Sequence, residues 1–496
     1  MRFDFDTSRV SDYETFLKIR RLPIYRFRGT SAEVPDEYAA DLGIKVRKSR
    51  SAKYEPIDGL FDYQRDISRL AIQKQKYAIF ADCGLGKTLM LLEFARHAAK
   101  ASGGKVLIVS PLMVVQQTID EAMKWYGAKF HIGRVRAFDL PYWLKSKSDL
   151  DTQIACTNYE AIREGLDPGD LSCLILDESS MLKSHYGEYG TRLIELGRGL
   201  DWKLCATGTP APNDRIEYAN HAVFLDRART VNEFLASYFI NRGETQNRWE
   251  LKPHALKPFY RSLADWSIFL TSPATYGWKD NVGTTPPINI HVDHIELTPE
   301  QRKASQTLTG SLITNNIGGI GERGKLSQIA KGKGGIPTNK PAFIRSLVDS
   351  WPDESTIIWC HYNDEQEMME QTLPDAVSIS GDTPEEKRQR YIDQFRSGEV
   401  KTLISKPKIL GFGLNLQVCT RQIFSGLKDS YEEFYQAVKR SNRIGSTRPL
   451  NVHIPVTELE VPFVDNVLRK AHRVESDTLE QEALFKEIGH ACLRSF

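Results

Sequence analysis

The sequence has almost no excess of either charge: 66 Lys and Arg stand against 64 Asp and Glu, a formal net charge of +2. That balance excludes a general polyanion binder but not a local basic groove, because steering depends on where charges sit. No run approaches the roughly 18 apolar residues that a membrane span requires, so no membrane partner is expected. The N-terminal stretch MRFDFDTSRV alternates charge with Phe and lacks an apolar signal core, so an intracellular, cytoplasmic chain is expected rather than a secreted one. The seven cysteines are odd in number and scattered, with no C-x-x-C pair, which argues against a disulfide framework or a zinc site. Cys173 in LSCLILD and Cys360 in IIWCHY read as small reduced core residues. No internal repeat at a solenoid period is present. What remains, 41% apolar and 26% charged over 496 residues, fits a globular chain of two or three domains with a sizeable core.

From Tyr77 the chain alternates short apolar runs with amphipathic stretches. YAIFA (77–81), KVLIVS (105–110), QIACT (153–157), SCLILD (172–177) and KLCAT (203–207) read as buried strands, and TLMLLEFARHAAK (88–100) has helical spacing. Such alternation implies a parallel sheet covered on both faces. The pattern lapses over 225–290, then resumes with STIIWC (355–360), KTLIS (401–405), RQIFS (421–425) and NVHIP (451–455). Two α/β lobes follow from this. The expected division is an N-terminal extension at 1–55, a first lobe at 56–225, an insertion and linker at 226–340, a second lobe at 341–475 and a helical tail at 476–496. Arg20, Arg21, Arg26 and Arg28 cluster in the extension without forming a motif. The Gly- and Lys-rich segment 317–340 reads as a mobile loop or linker.

The strongest local signal is IFADCGLGKTLMLLEF, a strand running into Cys83-Gly84-Leu85-Gly86-Lys87-Thr88 and then a helix. Glycines let backbone N–H groups approach a phosphate, and a helix N-terminus favours negative charge. Lys87 is placed to reach β- and γ-phosphates, and the Thr88 hydroxyl to ligand Mg²⁺. The strict G-x-x-x-x-G-K-[ST] pattern fails at its first position, where Ala81 stands. Asp177-Glu178 closes another apolar strand. Beside a phosphate loop, Asp177 suits the metal and Glu178 the attacking water, although such a pair also occurs as helix N-terminal acids stabilised by the dipole. Downstream, Thr207-Gly208-Thr209-Pro210 ends a further strand; it is either a coupling element or an ordinary proline-stopped turn.

In YEEFYQAVKRSNRIGSTRPL (431–450), Gln436, Arg440 and Arg443 fall at i, i+4 and i+7, one face of a helix. Two guanidiniums presented to a γ-phosphate would stabilise the transferring phosphoryl, worth roughly 10³–10⁵ in rate. A solvated basic helix end is the alternative. KPKILGFGLNLQ (406–417) adds Gly411, Gly413 and Asn415 as candidates for coupling nucleotide to a second ligand.

In this order the motifs resemble the ATPase motor of the Swi/Snf-like branch of helicase superfamily two, over roughly residues 60–475. Tyr63-Gln64 resembles the adenine-reading glutamine motif, ADCGLGKT the phosphate loop, DESSMLKS the DEAH-type box and TGTPAPN the coupling motif. VLIVSPLMVVQQTIDEAMKW and TNYE resemble the nucleic-acid-contacting motifs of the first lobe; LKPFY, PPINIHVDHIELTPEQ, KLSQI, ISGDTPEEKRQRYIDQF and QAVKRSNRIG resemble the interlobe crossing and the second lobe. The resemblance implies two tandem RecA-like lobes, each a parallel sheet flanked by helices, with ATP and Mg²⁺ in the cleft between them. It implies Gln64 on adenine, Lys87, Thr88 and Asp177 on phosphate and metal, and a motor on duplex DNA with little sequence preference. By motif position Ser110, Thr157, Asn158, Gly381 and Thr383 are its DNA contacts. A strand-separating helicase on DNA or RNA and a weakly hydrolysing ATP-binding clamp stay open as alternatives.

The sequence departs from the family pattern in three places. Ser179-Ser180 replaces the small residue and His that usually follow the acidic pair. Asn442 and Ser446 stand where His and Gln are common, and the arginine-rich doublet usual after the LKPF segment is absent. The short chain points to a compact motor of the bacterial or phage type.

Overall fold

The structure, a computed structural model, describes residues 1–496 apart from 23–24, 35–37, 40, 45–52, 128–129, 148–152, 183–187, 244–248, 280–282, 284, 315–319, 411–415, 444 and 495–496. The chain divides into two units, Met1–Asn281 with Val474–Phe496, and Val282–Arg473. Among the described residues no helix is long and apolar enough to cross a membrane.

The first unit is built on α1 (Asp62–Lys74), β1 (Lys76–Ala81), α2 (Lys87–Ser102), β2 (Lys105–Ser110), α3 (Leu112–Tyr126), β3 (Gly133–Arg134), β4 (Ile154–Asn158), β5 (Leu171–Asp177), β6 (Trp202–Thr207), α4 (Tyr218–Phe224), α5 (Leu256–Trp266) and β7 (Ser267–Leu270). Its seven strands lie in the order β7-β1-β6-β5-β2-β4-β3, all parallel. Continuous apolar runs make these strands because both faces of the sheet are covered: every residue of β2 and of β6 is buried. Leu107, Val109, Leu174 and Leu176 meet Phe80 and Phe269 in one core. At the N-terminus, Arg2–Asp4, Arg26–Arg28 and Ser31–Glu33 form a small antiparallel sheet with the helix Val10–Arg20.

The second unit contains β8 (Ile288–His294), α6 (Pro299–Thr314), α7 (Ile320–Ala330), α8 (Lys340–Asp349), β9 (Thr356–Trp359), α9 (Asn363–Thr372), β10 (Val377–Ile379), α10 (Glu385–Ser397), β11 (Thr402–Ser405), β12 (Arg421–Phe424), α11 (Tyr431–Val438) and β13 (Leu450–Val456). Its six strands run β8-β13-β12-β9-β11-β10, again all parallel. Ile344, Ile358, Ile404 and Ile423 form its core.

The two parallel α/β lobes are as expected, but the region 226–340 is not an insertion standing apart from them. α5 and β7 complete the first sheet, where Ser267–Leu270 pairs with Ala78–Ala81, and β8 forms the edge of the second. A four-residue buried strand carries too short an apolar run to show a period. The Gly- and Lys-rich stretch is helical over α7, which ends in buried Ala330, and the next residue, buried Lys331, donates its Nζ to Leu427 O at 2.8 Å; the stretch is not a loop throughout. The helical tail is part of α12 (Val461–Arg494), whose residues from 474 onward belong to the first unit. There the Asp477 carboxylate accepts from Arg215 Nε at 3.1 Å, and Glu482 Oε1 accepts from Thr271 N and Oγ1, each at 2.6 Å.

One buried carboxylate ties the entry to the first unit onto the helix behind its phosphate loop. Glu93 of α2 is fully buried and accepts from Tyr54 Oη at 2.7 Å, Tyr126 Oη at 3.0 Å and Arg96 Nε at 3.0 Å. Glu93→Leu strands these donors, and is expected to lower the unfolding free energy by about 3 kcal/mol, read by chemical denaturation.

Candidate functional site

β1 leaves the sheet at Ala81, and the chain turns through Asp82–Gly86 before α2 begins. Gly84 and Gly86 have φ of +88° and +70°. The left-handed backbone at Gly86 favours glycine, and a Cβ there would lie 2.1 Å from Gln64 Nε2 and displace that amide from the loop. Gln64 is buried against the loop; its Nε2 donates to Leu85 O at 3.5 Å while its Oε1 accepts from Phe61 N at 3.1 Å. The Tyr63 hydroxyl donates to the same carbonyl at 3.1 Å. Here the Gln64 amide braces the phosphate loop. Lys87 Nζ folds over it, donating to Ala81 O at 2.7 Å and Asp82 O at 3.1 Å. Cys83 and Thr88 are half-buried beside it.

β5 ends at Asp177, two strands from β1. Its buried carboxyl accepts from Ser110 Oγ at 3.3 Å and from Glu178 N at 3.1 Å. The Tyr159 hydroxyl donates to Asp177 O at 2.7 Å. Burial, and then the neighbouring Glu178, push the Asp177 carboxyl well above the usual carboxylate range; Lys87 and the two hydrogen bonds pull in the opposite direction. Among the described residues, Glu178 is one of three non-glycine residues with positive φ, at +53°. Its Oε2 accepts from Thr207 Oγ1 at 3.1 Å, and Thr207 Oγ1 accepts from Thr209 N at 3.1 Å. A Cβ on Gly208 would lie 3.7 Å from Lys87 Nζ, so Thr207–Thr209 touches the acidic pair on one side and the phosphate loop on the other.

In the second unit, Gln436 and Arg440 are buried and Arg443 is half-buried. They do not share one helix face. α11 ends at Val438, and the chain passes through tight turns in which Arg440 N donates to Ala437 O at 3.2 Å and Ser441 N to Val438 O at 3.2 Å. The stop has a tertiary cause. The buried amide of Gln422 donates to Ala437 O at 3.0 Å and Ser441 Oγ at 2.8 Å, while its Oε1 accepts from Trp359 Nε1 at 3.0 Å. Asn442 Nδ2 is drawn to Pro286 O at 2.7 Å.

The proposed DNA contacts divide in two. Ser110 and Thr157 point inward: the first donates to Asp177 and the second to Val135 O at 2.7 Å, both buried, so their hydroxyls are not available to a strand of DNA. Asn158 is half-buried and donates to Glu160 Oε2 at 2.6 Å. Gly381 is exposed with open space about it, and Thr383 accepts from Ser380 N at 2.9 Å. Gly411, Gly413 and Asn415 lie outside the described residues, as does Lys183, the lysine of the DESSMLKS segment. The sequence reading missed Tyr159 and Ser110 as holders of Asp177, and His221, whose Nε2 lies 3.1 Å from Ser179 Oγ. Nothing local marks His221, because the contact spans distant parts of the chain.

These features define a parallel α/β protein with a phosphate loop and an acidic pair at the ends of strands that flank β6. Residues 63–325 match the SNF2-related domain and residues 339–445 the helicase conserved C-terminal domain. The first match alone takes in more than half of the chain, which therefore belongs to the SNF2-related family. It is similar to the ATP-dependent helicase fft1 of Schizosaccharomyces pombe, 29% identical over 33% of this chain and 18% of that protein. It is also similar to the putative ATP-dependent helicase/translocase YwqA of Bacillus subtilis, 21% identical over 81% of this chain and 46% of that one. The chain thus spans less than half the length of these relatives. Among solved structures, the Sulfolobus solfataricus SWI2/SNF2 ATPase core in complex with dsDNA aligns at 19% identity, covering 89% of this chain and 99% of that one with a TM-score of 0.40.

The Asp177 environment has a pH consequence. The folded protein holds this proton more tightly than the unfolded chain does, so stability falls as pH rises from the ordinary aspartate value, about 3.9, through the raised one. Asp177→Asn removes that loss. Its thermal midpoint without ligand should match wild type near pH 4 and exceed it by roughly 3 °C at pH 8; a wild-type advantage at pH 8 would contradict the assignment.

Proposed function

We propose that this chain is an ATP hydrolase whose turnover drives movement along duplex DNA. The observation that carries this reading is the continuity of phosphate loop, acidic pair and Thr207 hydroxyl within the first unit. The α2 N-terminus and Lys87 receive the phosphates, and Lys87 exchanges its two loop carbonyls for phosphate oxygens. Thr207 holds one oxygen of Glu178, leaving the carboxylate to orient a water and take its proton. Arg440 and Arg443 stabilise the charge on the transferring phosphoryl when the second unit engages the nucleotide. Gln64, braced against the loop, carries adenine contact to the phosphates.

A divalent cation suits the oxygens available. The Thr88 hydroxyl and the Asp177 carboxylate are hard donors, and Lys87 favours the ionised carboxylate that a cation needs. These two residues would hold Mg²⁺, whose chemistry is to neutralise charge building between the β- and γ-phosphates. Asn158, Gly381 and Thr383 are the phosphate-backbone contacts, so base preference is weak and binding falls steeply with salt.

Phosphate release measured without polymer, and with single-stranded DNA, duplex DNA or RNA, tests the reading. Duplex DNA is expected to give the largest stimulation. Stimulation by RNA alone would favour a strand-separating helicase, and no turnover in any arm an ATP-binding clamp. Lys87→Ala should abolish turnover. Arg443→Ala should keep ATP affinity and lower turnover by roughly 10³-fold; equal loss of affinity would make that arginine structural.

A further inference from the structure

We propose that His221 is a positioning residue for hydrolysis, acting through the Ser179 hydroxyl to hold the backbone of Glu178 in its left-handed conformation. The proposal rests on the reading of Glu178 as the residue that orients water.

Ser179 follows Glu178 directly and opens the short 3₁₀ turn Ser179–Leu182. α4 grips this turn at both ends. Asn220 Nδ2 donates to Leu182 O, and one residue on, His221 Nε2 meets Ser179 Oγ at 3.1 Å. His221 and Ser179 are both fully buried. The imidazole also stands edge-on to Phe80, with ring centroids 5.3 Å apart and planes at 87°. Phe80 is the penultimate residue of β1, so one ring is packed between the strand that feeds the phosphate loop and the turn that follows the acidic pair.

Glu178 needs such support. A non-glycine residue at a φ of +53° costs free energy that the surroundings must offset. Its side chain is held by Thr207, and its carbonyl accepts from Met181 N at 3.2 Å. Neither contact reaches Ser179, whose hydroxyl is held from α4. Burial lowers the His221 pKa to about 4, so at neutral pH the ring is uncharged and can share a hydrogen bond with Ser179 in either direction. An uncharged ring places no net charge near Glu178; its contribution is chiefly geometric.

Geometry of this kind affects the chemical step rather than nucleotide affinity. His221→Leu keeps the ring's volume without its hydrogen bond, and Ser179→Ala removes the other partner. Each is expected to lower kcat for duplex-stimulated ATP hydrolysis by about tenfold to a hundredfold, with KM for ATP within about twofold. The double variant should fall no further, because both changes break one link. His221→Gln, which restores a side chain able to pair with Ser179, should recover most of the rate. Unchanged kcat, a rise in KM matching the fall in kcat, or multiplying effects in the double variant would overturn the proposal. Crystal structures of the ligand-free variants give a readout independent of turnover: residue 178 should leave the left-handed region or lose its Thr207 hydrogen bond. Both features preserved in Ser179→Ala and His221→Leu would also overturn it. If the wild-type protein hydrolyses no ATP with any polymer, the functional reading falls, and these structures alone decide whether His221 positions residue 178.

Discussion

The parallel register of β1, β6 and β5 puts Phe80 opposite Thr207 and Asp177 opposite Ala206, so three strand ends leave the sheet at one level. From that level start the phosphate loop, the Thr207–Thr209 turn and the acidic pair. A one-residue slip in either pairing would turn the strand's side chains to the opposite face. It would also carry Thr207 away from Glu178 and Gly208 away from Lys87. Register is held because every residue of β6 is buried, leaving no exposed face on which a slipped strand could settle. The chemistry at the loops is therefore fixed by core packing some distance below it.

The sequence showed the strands well where burial on both faces made continuous apolar runs, as in KVLIVS and LSCLILD. Ser267–Leu270 escaped notice because four residues between an amphipathic helix and a proline make too short a signal. Continuous burial also hides which side a polar residue faces. Ser110 and Thr157 sit in strands with no alternation to read, and both turned out to bond inward. The phosphate loop and acidic pair were legible because their spacing is local. Their supports, Tyr159, Ser110 and His221, were not, since each reaches its partner across the fold.

The arginine segment teaches a related lesson in the second unit. Helical spacing put Gln436, Arg440 and Arg443 on one face, yet α11 ends before either arginine. Gln422, in the strand beneath, takes the Ala437 carbonyl and the Ser441 hydroxyl, and Asn442 is claimed by Pro286 O. A polar strand residue, with its three hydrogen-bond partners inside the protein, decides where the helix stops. The arginines are thereby carried on a pinned turn, which constrains their backbone more than the frayed last turn of a helix would.

Residue 178 carries an evolutionary tension. Glycine or asparagine would suit its backbone better, but neither has a carboxylate, and aspartate is one methylene too short for the reach to Thr207. If Glu178 orients the water as proposed, descendants selected only for heat tolerance would drift toward those relaxed alternatives and become sturdier and inert. Persistence of glutamate among orthologues would therefore be a genealogical trace of a lineage that kept consuming nucleotide.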